Sequence, residues 1–212
     1  MIAPAIALLL LAAADAASTP AWLPPVEQCS GDDGFIQFRN ALENAVARRD
    51  AAALRQLAAR NIISDFGGSD SWAHFVSRWS LAVSPQNSEL WDELEGVLAL
   101  GCAPSPDGSG NVMPGMFEAM SDDVDPFELV VALPGTELFD RPTDKRTPIA
   151  TLEWHSATDL GGATLEGWMH VRLIDGREGW VRTDELISPL GYRLVARKID
   201  GRWLIAAFVS GD

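Results

Sequence analysis

The apolar residues change period once, near Glu128. Before it they recur at steps of three and four. After it they fall in short alternating runs broken by Pro-Gly, Gly-Gly and Asp-Gly pairs. A step near 3.6 marks one face of a helix and a step of two marks one face of a strand, so the chain must hold both kinds of element in separate stretches. The expected class is α+β: an N-terminal helical domain at residues 27–102, a linker at 103–126, and a β part at 127–212. A chain of 212 residues is long enough for two small domains.

In the first stretch, Asp32 or Asp33 can cap a helix whose buried face is Phe35, Phe38, Leu42, Ala45 and Val46. Asp50 caps a second helix over Ala51 to Arg60, with Leu54 and Leu57 inward. Asn61 to Phe66 reads as extended. Ser69 or Asp70 caps a third helix carrying Trp72, Phe75, Val76 and Trp79. Ser88 caps a fourth with Leu90, Trp91, Leu94, Val97 and Leu98 inward, and Gly101 stands where a C-terminal cap belongs. Residues 103–115 are mostly Pro, Gly, Ser, Asp and Asn, the composition of a loop.

The run from Met1 to Ala14 is almost continuously apolar, and Ala14-Asp15-Ala16 follows the small-x-small cleavage pattern. This predicts a signal peptide over residues 1–17 and a periplasmic or secreted protein. The run is too short to span a bilayer, which takes roughly 20 apolar residues, so no stable membrane insertion is expected after cleavage. Export puts Cys29 and Cys102 in an oxidising compartment. Either a disulfide tying the entry of the helical region to its exit, or two buried thiols, fits their positions.

Charge argues against nucleic acid as a partner. The net charge is −14, and residues 1–140 hold 20 of the 30 acidic residues but only 6 of the 16 basic ones. Such a surface repels phosphate backbones.

From Leu129 the strand-like runs are Leu129 to Ala132, Glu137 to Phe139, Ile149 to Trp154 and Trp168 to Leu173. A return at Trp180-Val181 follows the Asp175-Gly176 turn, and a last hairpin of Tyr192 to Ile199 and Trp203 to Val209 turns at Asp200-Gly201. The order Pro134-Gly135-Thr136-Glu137-Leu138-Phe139-Asp140-Arg141-Pro142, Ile149-Ala150-Thr151-Leu152, Gly167-Trp168-Met169-His170-Val171 and Asp175-Gly176-Arg177-Glu178-Gly179-Trp180-Val181 resembles a bacterial SH3-type domain. The opening departs from the family, with Leu-Phe-Asp-Arg where an Asn-Val-Arg sequence is common. The whole chain resembles exported alphaproteobacterial proteins with such a domain. The two-helix opening that leads to Asp65-Phe66-Gly67-Gly68 is similar to cone-shaped folds of the nuclear-transport-factor-2 type, a pattern the next helices do not continue. The resemblance implies a small SH3-like β-barrel, with the last hairpin as an extra element, and an envelope binding module for peptidoglycan peptides or a periplasmic protein. Implied ligand-binding residues are Trp154, Trp168, Arg141 and Tyr192. The alternation places Trp168 opposite Met169 and Val171, so it serves either a groove or the core. Trp180 is read as core.

Little else points to chemistry. His74, His155 and His170 are scattered and no metal-ligand spacing exists, so neither a metal nor a cofactor is expected. Asp122, Asp123 and Asp125 lack the order of a calcium loop and read as a solvated linker. Glu93 and Glu95, with Asp92, lie on the wet side of the fourth helix, the ordinary place for carboxylates. They support a second expectation, a cell-wall hydrolase or its accessory with the barrel as targeting module. The first expectation is a non-catalytic protein.

Overall fold

The side chains of Asp32, Asp50 and Ser71 cap the first three helices, whereas the cap residue of the fourth is Glu89, which makes no side-chain cap bond. The computed structural model describes residues 19–68, 70–118, 120, 124–161 and 165–211, so the expected signal peptide lies outside it. After β1 (Val26–Glu27), the Asp32 carboxylate accepts from Phe35 N at 3.0 Å and begins α1 (Asp33–Ala47). Phe35, Phe38, Leu42, Ala45 and Val46 form its buried face, as their spacing requires. Asp50 accepts from Ala52 N and Ala53 N and begins α2 (Ala51–Leu57). That helix stops earlier than expected, because β2 (Ala58–Ile63) takes over the residues up to Arg60. The cap of α3 (Trp72–Arg78) is Ser71, whose hydroxyl accepts from His74 N at 3.1 Å. Asp70 merely precedes that cap, and Ser69 lies outside the described residues. Ser88 Oγ accepts from Leu90 N at the start of α4 (Leu90–Ala99) and donates to Trp79 O at 2.6 Å.

The stretch expected as a linker carries strands. β3 (Gly101–Pro104) and β4 (Gly110–Met113) pair antiparallel, and β1 runs parallel to β3. Gly101 has φ of +76°, and a Cβ there would lie 2.0 Å from Val26 O, so this position excludes any side chain. Asp122 and Asp123 lie outside the described residues. Asp125 turns the chain, its carboxylate accepting from Phe127 N at 2.8 Å.

Seven strands follow: β5 (Leu129–Ala132), β6 (Thr136–Leu138), β7 (Ala150–Leu152), β8 (Ser156–Asp159), β9 (Trp168–Leu173), β10 (Glu178–Arg182) and β11 (Leu186–Ile187). Five of them make an antiparallel sheet in the order β10-β9-β8-β5-β11. β6 and β7 form a separate ribbon. The ribbon is tied to β10 where Phe139 and Trp180 exchange two backbone hydrogen bonds of 2.9 and 2.8 Å. The sheets are not closed into a barrel.

The last two strands, β12 (Arg193–Ile199) and β13 (Arg202–Val209), correct the expected architecture. They are not an appendage of the β part. They sit inside a six-stranded sheet of order β1-β3-β4-β12-β13-β2, with β4 beside β12 and β2 parallel to β13. The helices cover this sheet, and one core holds Phe35, Leu42, Phe75, Trp91 and Leu94 together with Leu194, Ala196, Ile205 and Phe208. The first unit is therefore α+β rather than helical, and its sheet is completed by the chain's end. The physical reason is burial: β12 and β13 carry Leu194, Ala196, Ile205 and Phe208, which the apolar faces of the helices cover.

A second core fills the five-stranded sheet around Val130, Leu138, Leu152, Val171 and Val181. A third cluster joins the two units. It contains Leu23, Met116, Leu129 and Val131, with Phe117, Trp154 and Ile187 packed against it. The segment before β1 straps this junction, with Leu23 N donating to Trp154 O at 2.8 Å and Ser156 N to Ala21 O at 3.2 Å. Cys29 and Cys102 are joined by a disulfide, with their Cα atoms 5.8 Å apart. Among the described residues, no helix is long and apolar enough to cross a membrane.

Candidate functional site

The seam between the two units holds the candidate site. A cleft of about 620 Å³ opens there between α4 and the edge of the five-stranded sheet. Val97 and Leu100 from α4 and its end form one side, with Pro114 and Phe117 from the turn after β4. Leu133, Trp154, Ile187 and Tyr192 form the other. Its volume lies within the usual range for small-ligand sites, roughly 300–1,000 Å³. A smaller cleft of about 380 Å³ shares Pro114, Phe117, Ser188 and Tyr192 with it and adds Glu118 and Arg193.

Trp154 is the unusual residue of this site. Its φ is +52°, in the left-handed region that a bulky side chain avoids. Holding it there costs roughly 1–3 kcal/mol, and such strain persists only where the surroundings over-determine the backbone. Here Leu23 bonds its carbonyl from one side, and Trp22 bridges its neighbour His155. The ring packs on the third cluster and borders the cleft.

Tyr192 is fixed from behind. Its ring stacks on Phe208 with centroids 4.9 Å apart and leans on Trp79 at 5.2 Å. Arg78 Nη2 lies 3.5 Å from its hydroxyl. The residue thus connects the helix–sheet core to the cleft.

Two carboxylates border the seam. Glu93 projects from α4 at the rim of the larger cleft, and partial burial, then Glu89 and Asp92, raise its pKa. Glu118 lines the smaller cleft, where burial raises its pKa and the nearby Arg193 partly offsets this. Glu95 is not with them. It lines a separate groove together with Glu43, Val46 and Leu98, so Glu93 and Glu95 face different clefts. They do not form the close carboxylate pair that glycoside hydrolysis uses.

Of the four residues expected to bind ligand, the structure brings Trp154 and Tyr192 together at one cleft. Trp168 is elsewhere and buried. Its ring is covered by the Arg182 guanidinium at 4.2 Å and by the edge of Phe139 at 5.5 Å, and Arg182 is held in turn by Asp144 at 2.7 Å. That lid makes Trp168 a structural residue and decides the open choice in favour of the core. Trp180, read as core, is only half-buried and stacks on His170 at 4.8 Å. Arg141 lies exposed on the loop after β6, away from the cleft lining.

The histidines do not converge. His74 Nε2 bonds the Asp65 carboxylate at 2.5 Å, and this bond, followed by the Gly67 amide, lowers the Asp65 pKa. His155 bonds backbone at Glu153, and His170 lies on Trp180. One group of potential metal-binding side chains, Glu27, Cys29 and Cys102, contains the two disulfide sulfurs, which have no thiolate to offer.

Phe117, Pro114, Leu133 and Ile187 belong to the cleft and were not foreseen as site residues. The apolar Met116–Met120 segment amid polar neighbours was the one local sign. Compared with family models, curated proteins and solved structures, the chain matches none of them.

Proposed function

We propose that this chain is an exported, non-catalytic envelope protein that binds a peptide in the seam cleft, the peptide being carried by peptidoglycan or by a periplasmic protein. In this reading the five-stranded sheet and its ribbon are an SH3-like module, and the cleft lies where that module meets the helix-covered sheet. The carrying observation is Trp154, an aromatic residue kept in a left-handed backbone at the wall of an apolar cleft. Stored strain of this kind concentrates at binding and catalytic sites. Aromatic rings with one polar end suit peptide ligands.

The test is co-sedimentation of the purified protein with insoluble peptidoglycan, beside pull-down of periplasmic extract. Binding in either arm that is lost in Trp154→Ala and Tyr192→Ala, but kept in Trp168→Phe, supports the reading. Binding that survives both cleft substitutions places the site elsewhere.

One observation favours a second reading, a cell-wall hydrolase. Glu93 at the cleft rim has its pKa shifted upward, the direction a general acid needs. Release of soluble fragments from purified cell wall, abolished in Glu93→Gln, would establish it. Release unchanged in that variant removes Glu93 as the acid.

A further inference from the structure

Among the described residues, the larger cleft is lined by a single charged side chain, Glu93. The rest of its wall is apolar or aromatic apart from the Ser188 hydroxyl. That hydroxyl already accepts from Leu190 N at 3.2 Å. The Glu93 carboxylate has no hydrogen bond or ion pair among the described residues, whereas that of its neighbour Asp92 is engaged by Arg49 at 2.6 Å. Glu89, one turn earlier on the same side, adds a second negative charge rather than relieving the first.

The cations near the seam lie at its other end. Arg193 lines the smaller cleft beside Glu118, and Arg78 meets the Tyr192 hydroxyl. A positively charged ligand is therefore drawn to the α4 end and kept from the Tyr192 end. The field of the whole first part acts in the same sense, with 20 acidic against 6 basic residues before position 141. Such an excess speeds the approach of cations and disfavours anions.

We infer that the seam cleft takes a basic apolar peptide segment, with its Lys or Arg at Glu93 and its apolar neighbours against Trp154 and Tyr192. This rests on the proposal that the cleft is the binding site. It names the chemistry that selects the ligand there.

Three acetylated pentapeptide amides test it by calorimetric titration into the intact protein: Ala-Leu-Lys-Phe-Ala, the same peptide with norleucine for lysine, and the same with glutamate. The lysine peptide should bind roughly ten-fold or more tighter than the norleucine peptide, the worth of a charged hydrogen bond. The glutamate peptide should be weakest. In Glu93→Gln, which keeps helix propensity nearly unchanged, the preference for lysine should disappear while norleucine binding remains. In Trp154→Ala both should weaken. Equal affinity for lysine and norleucine in the native protein, still lost in Trp154→Ala, overturns the charge selection but leaves the cleft as binding site. A lysine preference that persists in Glu93→Gln overturns Glu93 as the selecting group. Binding of none of the peptides overturns the inference and the cleft reading together.

Discussion

Met113 and Leu194 face each other across adjacent antiparallel strands, although the entire five-stranded sheet lies between them in sequence. Both are fully buried in the core beneath the helices. The chain thus leaves the first sheet after β4, builds the second unit, and returns to the neighbouring position in the first.

A chain ending at residue 126 should not fold. It lacks Leu194, Ala196, Ile205 and Phe208, and a single buried leucine cut to alanine already costs about 2–5 kcal/mol. A chain in which a short flexible loop replaces residues 127–187 should retain the helix signal and a cooperative transition, because the ends of β4 and β12 already meet. Circular dichroism and urea titration separate the two. A cooperatively folding chain of residues 19–126 would contradict this assignment of the core.

Reducing the Cys29–Cys102 bridge should destabilise the first unit strongly. The bond closes a span of 73 residues. The chain-entropy model gives about 4 kcal/mol for a loop of that size. Urea titration of the native protein and of Cys29→Ser with Cys102→Ser measures the difference. A change below about 1 kcal/mol would mean that the unfolded chain is already constrained there.

Trp168→Ala should lower stability by about 3–5 kcal/mol, the usual range for a buried aromatic. Arg182→Ala should cost less, on the order of 1 kcal/mol, for the lost cation–aromatic contact. Neither should alter binding at the cleft. Loss of ligand in Arg182→Ala with unchanged stability would restore a groove at Trp168.

Glu118 should make stability fall as pH rises. Burial raises its pKa in the folded state above the ordinary value of 4.5. The folded protein therefore holds this proton more tightly than the unfolded chain does. Its contribution is most favourable below pH 4.5 and is lost as pH rises through the folded pKa. Glu118→Gln removes that dependence. Urea midpoints should show the variant gaining on the native protein between pH 4 and pH 7. A constant difference across that window would mean the carboxylate is solvated after all.

Local features were legible because their causes are local. The face of α1 follows from the spacing of Phe35, Phe38 and Leu42, and its start follows from the Asp32 carboxylate. The turn at Asp175-Gly176 is equally local: Gly176 takes φ of +87° and its amide bonds Leu173 O at 2.9 Å. The hairpin of β12 and β13 was visible as a hairpin from Asp200-Gly201, which hold φ of +50° and +80°. Trp154 and Tyr192 were expected at a binding site only because the SH3-type resemblance implied it. Nothing nearby in sequence shows that Trp154 is held in a left-handed backbone, since Leu23 and Trp22 hold it from the other end of the chain.

By itself, then, the sequence determined the α+β class, the faces the helices bury, the turns, and the acidic character of the first part. Only the tertiary structure decided that β12 lies beside β4, that Arg182 closes over Trp168, and that Trp154, Tyr192, Phe117 and Glu93 meet at one cleft. Alternation states which face of a strand is apolar, but the hydrogen-bonding edge is the same for every strand. Neighbours are chosen by the burial that a whole arrangement achieves, and that sum exists only once the chain has closed on itself.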